Sequence, residues 1–194
     1  MLVNMKNICY YKNKEVMQMK LLYEFDYKDY DKCTKSYERN AVRAIIYKDN
    51  KIAMVKSDKE GYYKFPGGGM EKNESRIDTL IRETLEETGL TIIPETIKEY
   101  GYTCEKRKGT YDFDEVFIQN SYYYTAEVTE CISELALDEY EKVLGYHLEF
   151  VPLEIAYEAN KEVGKNYHSS FILREAKVLE ILMNENEYID STTA

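Results

Sequence analysis

A proline followed by three glycines, Pro66 to Gly69, stands between residues with a strand pattern and residues with a helix pattern. The aromatic-rich run Tyr62 to Phe65 predicts a short strand that stops at the proline. Beyond the glycines, Arg76 to Thr88 carries apolar residues at helical spacing and predicts a helix. A strand, a glycine loop and a helix in immediate succession limit the folds that this chain can adopt.

The helix has predictable ends and an apolar side. Asn73 or Ser75 can cap its start, and Gly89 can end it in the left-handed conformation. Its apolar side chains fall within one stripe, which we expect to pack on a core: Ile77, Leu80, Ile81, Leu85 and Thr88.

Three glutamates, Glu83, Glu86 and Glu87, stand at positions i, i+3 and i+4 and are predicted to lie together on a different face. Like charges at this spacing repel each other, whereas a hard divalent cation such as Mg²⁺ or Mn²⁺ turns the repulsion into coordination. The glycines before the helix allow the backbone to approach a phosphate. Taken singly, the glutamates also fit a solvated helix face, and the glycines fit a tight turn.

The rest of the chain predicts strands followed by helices. The predicted strands are 20–25 at a sheet edge, 41–48 and 52–56 joined by a hairpin turn at 48–51, 97–103, 116–119, 121–130 and 146–151. The predicted helices are 153–161 and 171–183. We divide the chain into an N-terminal arm (1–39, with the edge strand after about 18 loose residues), one domain (40–184) and a frayed polar tail (185–194). This order indicates an α+β fold or a mixed-sheet α/β sandwich.

Composition narrows the class of partner. The chain has 194 residues and a net charge of -10, so it repels a nucleic-acid polymer and needs a cation to handle a small anionic substrate. Its four cysteines form no CxxC pair, which argues against structural zinc and predicts reduced thiols. Neither a membrane-spanning run nor a secretory signal is visible, and we expect a soluble, cytoplasmic protein without a membrane partner.

The glycine loop and the helix together carry a spaced set of glycines and charged residues: Gly68-x5-Glu74-x7-Arg82-Glu83-x-x-Glu86-Glu87-x-Gly89-Leu90. This set resembles the Nudix box, the signature of hydrolases that act on a nucleoside diphosphate linked to another group. Thr84 stands at an aliphatic position of that box, and its Cβ branch is still expected to pack on the core. Asn73 replaces a frequent glycine, and asparagine tolerates a left-handed turn. The resemblance implies an α/β/α sandwich around a mixed sheet.

The resemblance also implies roles for the charged residues. Glu86 and Glu87 would bind the metal, Mg²⁺ or Mn²⁺, and Glu83 would be a third ligand or would orient the attacking water. Arg82 would hold the carboxylates in place through a charge-assisted pair with Glu74 or Glu83.

The glycines and the general base complete the implied chemistry. The backbone of Gly67 or Gly68 would complete the metal site, and Gly67, Gly68 and Gly69 would contact the substrate. Water attacks phosphorus while the metal neutralises phosphate oxygens. Family members take the base from the box or from a later loop. The acidic segment Asp112 to Glu115 fits such a loop, with Glu115 as first choice because it adjoins a strand, although a plain polar hairpin also fits.

The leaving group is not determined by the sequence. The proline that goes with ADP-ribose hydrolases is absent, since Glu105 stands near its position, and the chain has no tryptophan for the NADH diphosphatase motif. A nucleoside triphosphate or another small nucleotide diphosphate compound is the leading substrate. Tyr122 to Tyr124 fit either a strand that alternates between core and solvent or a base-stacking platform. The alternative function is a non-catalytic, nucleotide-binding regulatory module, and whether the chain forms a homodimer stays open.

Overall fold

A computed structural model describes residues 19–166 and 169–193 of the chain. The predicted loose arm, residues 1–18, lies outside the described residues. The strands are β1 (Leu21–Asp26), β2 (Lys35–Ile45), β3 (Tyr47–Lys48), β4 (Lys51–Ser57), β5 (Tyr63–Lys64), β6 (Leu90–Ile92), β7 (Lys98–Lys108), β8 (Glu115–Thr125), β9 (Val128–Ile132) and β10 (Tyr146–Val151). The helices are α1 (Arg76–Thr88), α2 (Glu139–Leu144), α3 (Leu153–Asn166) and α4 (Ser170–Thr193).

The strands form a mixed central sheet and two smaller sheets. The central sheet has the order β1-β7-β8-β2, in which β7 and β8 are antiparallel and the outer strands run parallel to their neighbours. A second sheet has the order β10-β4-β3, with β5 also paired to β4, and β6 pairs with β9. β1 lies at the edge of the central sheet, as predicted.

Two hydrophobic cores lie on opposite faces of β2. Val42 and Ala44 belong to a core that includes Leu80 of α1, and Ile45 belongs to a core that includes Leu179 of α4. Successive residues of a strand point to opposite faces of the sheet, so helices cover both sides of β2. The expected α/β/α sandwich around a mixed sheet is confirmed. No helix within the described ranges is long and apolar enough to cross a membrane.

The ends of α1 are set by local interactions. The hydroxyl oxygen of Ser75 accepts a hydrogen bond of 3.1 Å from the backbone N–H of Asp78, so Ser75 is the cap. Gly89 ends the helix at φ 71°, and Asn73 takes a left-handed φ of 68° in the turn before the cap. The helix bounds agree with the prediction.

The buried face of α1 is rotated relative to the prediction. Ile77 and Leu85 are each 36% exposed, whereas Glu87 is only 3% exposed. The residues before and within the glycine loop cover the flank of α1 that carries Glu87, next to the fully buried Leu80. The prediction of one buried stripe containing Ile77 and Leu85 was therefore wrong. The three glutamates do lie together, because all of them line one cavity, but Glu87 is buried there. Thr84 is fully buried, as expected.

Several further elements differ from the predicted ones. β8 joins the predicted strand 116–119 and the first part of 121–130 in one strand, because β7 and β2 pair with it along both sides. The last part of 121–130 belongs to the separate strand β9. The short α2 and β6 were not predicted. α4 continues to Thr193 instead of ending at Met183 before a frayed tail, since the sequence beyond Gly164 holds no proline or glycine to stop it.

Candidate active site

Glu87 lies under the glycine loop and is held by two donors. The Lys64 ammonium group lies 2.5 Å from Glu87 Oε1, and the backbone N–H of Gly67 donates to Oε2 at 2.9 Å. Burial raises the pKa of Glu87 to about 7, although Lys64 and the Gly67 N–H oppose the shift. Lys64 also lies 3.6 Å from Glu141 of α2, so a single ammonium group serves two buried carboxylates.

Arg82 connects the other box carboxylates. Its guanidinium makes a two-point contact with Glu74, at 2.8 Å from Nε and 2.9 Å from Nη2. Nη1 donates to Glu83 at 2.9 Å and to Glu86 at 3.0 Å. The Arg82 hydrogen bonds lower the pKa of Glu74 to about 2. The predicted partners Glu74 and Glu83 are both present, and Glu86 is a third.

The Glu83 carboxylate packs directly against the α-carbon of Gly68. A Cβ added to Gly68 would lie 2.5 Å from Glu83 Oε1 and closer still to Oε2. Burial raises the pKa of Glu83, and the Arg82 guanidinium opposes that shift. A side chain at position 68 would therefore occupy the space of this carboxylate.

The donor set of the box suits a hard divalent cation. Glu83, Glu86 and Glu87 line one cavity of about 550 Å³ together with Gly67, Gly68 and Gly69. Carboxylate and backbone carbonyl oxygens are the ligands that Mg²⁺ and Mn²⁺ prefer. As arranged, each carboxylate is bound to Arg82 or Lys64, and no three Asp, Glu, His or Cys side chains in the described part of the chain converge as a metal cluster. Coordination by all three would therefore have to share or replace the contacts that these carboxylates make with Arg82 and Lys64.

A larger cavity of about 960 Å³ adjoins the box cavity. Aromatic side chains from several elements contribute to its wall: Tyr37, Tyr62, Tyr111, Phe117, Tyr140, Tyr146 and Phe171. Four residues line both cavities, namely Arg39, Arg43, Lys64 and Tyr140. The shared border therefore carries three cationic side chains and no carboxylate.

These border residues were missed in the sequence. Arg39 and Arg43 are an even number of positions apart on β2 and point to the same face. Arg43 is buried and interrupts an apolar run, whereas Arg39 stands between polar residues. A buried arginine in such a run is the signal that could have revealed Arg43, because a charge is rarely buried without a partner. Arg43 donates to the carbonyl of Gly67, and its Nε lies 3.9 Å from Glu175 of α4.

The acidic segment 112–115 lies on the larger cavity. Asp112 and Glu115 contribute to its wall, and neither lines the box cavity. Asp112 is paired with Lys35 at 3.2 Å, and Asp114 accepts two hydrogen bonds from Thr34. Glu115 begins β8, as its neighbouring strand pattern suggested.

The three consecutive tyrosines divide between the two faces of the sheet. Tyr123 is fully buried and packs edge-on against Phe65. On the other face, the Arg76 guanidinium stacks on the Tyr122 ring, 3.5 Å from the ring centre. Tyr122 to Tyr124 line neither cavity. The alternating-strand interpretation is the one that the structure supports.

A family model described as the NUDIX domain matches residues 37–172. This chain belongs to the Nudix family. The matched range contains the glycine loop, α1 and the three cationic residues of the border. Nudix hydrolases generally use divalent metals such as Mg²⁺ and act on small nucleotide substrates.

Two curated relatives match a part of the chain. An uncharacterized Nudix hydrolase of Bacillus subtilis, YvcI, is 35% identical over 63 residues, which cover 32% of this chain and 40% of that protein. An 8-oxo-dGTP diphosphatase of Buchnera aphidicola is 43% identical over 58 residues, 28% of this chain and 45% of that protein. The chain thus matches less than half of the length of each relative. Among solved structures, a NUDIX hydrolase from Nitrosomonas europaea has a TM-score of 0.47 and 21% identity over 71% of this chain and 85% of that one.

Proposed function

We propose that this chain hydrolyses a diphosphate linkage in a small nucleotide-type substrate and depends on Mg²⁺ or Mn²⁺. One observation carries the proposal: the box glutamates and the glycine loop line one polar cavity, which shares a cationic border with a larger, aromatic-walled cavity. Carboxylates suit the metal, the border suits phosphate, and aromatic rings suit a planar group.

The proposed metal ligands are Glu83, Glu86, Glu87 and the backbone of Gly68. A bound metal neutralises phosphate oxygens and lowers the pKa of its water. Arg82 positions the carboxylates, because its guanidinium contacts Glu83 and Glu86 at once. Gly67, Gly68 and Gly69 are the proposed substrate-binding loop: the missing side chains at Gly68 and Gly69 leave room for the Glu83 carboxylate and the Arg39 guanidinium beside the backbone.

Two carboxylates are candidates for activating the water. Glu83 lies beside Gly68 in the box cavity, and burial raises its pKa, which makes it a better base than an exposed glutamate. Glu115 lies on the larger cavity and would need the β7–β8 hairpin to close over the substrate. Glu115→Gln is expected to lower kcat about 10² to 10⁴-fold if Glu115 is the base. A silent Glu115→Gln beside an inactive Glu83→Gln assigns the base to the box.

A panel assay tests the function itself. Nucleoside triphosphates, 8-oxo-dGTP and other nucleoside diphosphate compounds are incubated with Mg²⁺ or Mn²⁺, and the phosphate and nucleotide products are measured. 8-oxo-dGTP is included because the relative from Buchnera aphidicola carries its name. We expect metal-dependent turnover that chelation abolishes, and Mn²⁺ binding by calorimetry that weakens in Glu87→Gln. Nucleotide binding without turnover would instead support the non-catalytic module, and equal Mn²⁺ binding by both proteins would refute the metal site.

A further inference from the structure

The three cationic side chains of the border differ in how far their charge is already used. Lys64 is paired with the carboxylates of Glu87 and Glu141. Arg43 donates to the Gly67 carbonyl and lies near Glu175. The hydrogen bonds and ion pairs of these two residues hold the glycine loop, α1, α2 and α4 together, so the charge of each is already paired with a carboxylate of the protein.

Arg39 is the exception. Nη1 donates to the neutral side-chain oxygen of Gln119 at 3.0 Å, and Arg39 makes no ion pair within residues 19–166 and 169–193. Burial lowers the pKa of Arg39, the positive charges of Arg43 and Arg174 lower it further, and the Glu83 carboxylate opposes the shift without forming an ion pair. A half-buried guanidinium without a carboxylate, next to two other guanidinium groups, favours an anion as its partner.

Neighbouring atoms indicate a surplus of donors at this place. The Nε atoms of Arg43 and Arg174 are buried and have no hydrogen-bond partner among the described residues. Arg39 Nη2 lies so near the glycine loop that a Cβ on Gly69 would be 2.7 Å from it. Arg39 is thus beside the loop on the side that faces the larger cavity, where a phosphate extending out of the box cavity would meet it.

An aromatic surface lies one step outward from Arg39 on the same face of the sheet. β2 and β8 pair Arg39 with Gln119 and Tyr37 with Phe117, so the second pair is about 7 Å further along the strands. The Tyr37 and Phe117 rings are 6.1 Å apart with an interplanar angle of 33°. Arg107 covers the Phe117 ring at 4.3 Å. Flat rings flanked by a guanidinium bind planar aromatic groups by stacking.

We propose that Arg39 determines substrate specificity by binding the phosphoryl group of the diphosphate that lies away from the box carboxylates, and that it directs an attached nucleoside onto the Tyr37–Phe117 surface. The inference rests on the proposed function for the identity of the substrate. The class of ligand is a nucleoside diphosphate, in which a phosphate and an aromatic ring are held a few ångströms apart.

Binding of two non-hydrolysable probes tests the assignment without turnover. α,β-Methylene-ADP carries the diphosphate shape and a nucleoside, whereas methylenediphosphonate carries the diphosphate shape alone. Calorimetry in Mg²⁺ is expected to show that Arg39→Met lowers the affinity for both probes about 10- to 100-fold, the loss typical of a charge-assisted hydrogen bond. Phe117→Ala is expected to lower the affinity for α,β-methylene-ADP alone, by about 5- to 100-fold, because it removes a ring on which the base can stack.

Two more variants separate binding from general loss of structure. Gln119→Glu gives Arg39 a carboxylate partner while keeping the side-chain size. It should therefore lower the affinity for both probes although the guanidinium remains. Arg76→Met is the matched control, because it removes a guanidinium that stacks on Tyr122 and lines neither cavity. The Arg76→Met protein should bind both probes like the wild type. Arg39→Lys retains the charge and should lie between wild type and Arg39→Met.

The inference is overturned if the Arg39→Met and Gln119→Glu proteins have the melting temperature of the wild type and bind both probes with dissociation constants within twofold of it. On a substrate from the panel, the same variants should raise KM and leave kcat nearly unchanged, because the guanidinium contacts a phosphate that is not attacked. A wild type that binds α,β-methylene-ADP in an Arg39-dependent way but hydrolyses nothing would refute the proposed function while supporting this site.

Discussion

Gly68→Ala is the substitution whose effect follows most directly from the geometry. Its φ lies outside the left-handed region, unlike that of Gly67, so alanine strains no backbone angle there. The added Cβ would lie 2.5 Å or less from both carboxylate oxygens of Glu83, whereas ordinary contact begins near 3.4 Å. The carboxylate must therefore move by about 1 Å or more away from the glycine loop.

The size of the effect follows from what has to move. The Glu83 carboxylate is the end of a flexible side chain, so its displacement should change the free energy of unfolding by at most about 1 kcal/mol. A displacement of about 1 Å in a group that positions metal or water costs on the order of 10²-fold in rate. We expect Gly68→Ala to be folded, with kcat lowered about 10²-fold on the best substrate.

The neighbouring glycines are matched controls for the assay. At Gly69 the new Cβ meets Arg39 rather than Glu83, so Gly69→Ala should mainly raise KM. Gly67 has φ 134°, and its Cβ would overlap the backbone carbonyl of Val42, so Gly67→Ala should instead lower stability. Steady-state kinetics and thermal melting by circular dichroism distinguish the three. A Gly68→Ala enzyme with wild-type kcat would refute the claim that the position of Glu83 governs turnover.

Two predictions concern stability. Glu175→Gln keeps an acceptor for the backbone N–H of Phe65 but removes the negative charge that faces Arg174 at 3.0 Å. It should therefore lower the free energy of unfolding in urea by about 2 to 4 kcal/mol, whereas the control Glu162→Gln, at an exposed ion pair, should lower it by at most about 0.5 kcal/mol. Equal unfolding midpoints for the two variants would contradict the prediction. Because the pKa of Glu74 falls from 4.5 to about 2 on folding, its ionised form stabilises the protein above pH 5, and this contribution is lost as the pH drops towards 2. The stability gap between wild type and Glu74→Gln in metal-free buffer should therefore be about 1 to 2 kcal/mol at pH 7 and close below pH 3, and a gap independent of pH would count against the ion pair.

Local signals in the sequence determined the helix at the centre of the site. Its bounds depend on Ser75 and Gly89, which act on the backbone within one turn, and the spacing of the three glutamates is a property of the helix itself. Strand alternation likewise located β1 and β10, since a period of two needs no partner to be recognised.

The tertiary structure alone decided which of these side chains are buried and what they face. Glu87 looked equivalent to Glu86 in the sequence, but Lys64 and the Gly67 N–H cover it and leave Glu86 partly exposed. Arg39 and Gln119 are 80 residues apart and become neighbours only because β2 and β8 pair in parallel. Helix ends depend on hydrogen bonds between residues a few positions apart, whereas burial and charge compensation depend on strand register and on segments distant in the chain, so no local pattern encodes them.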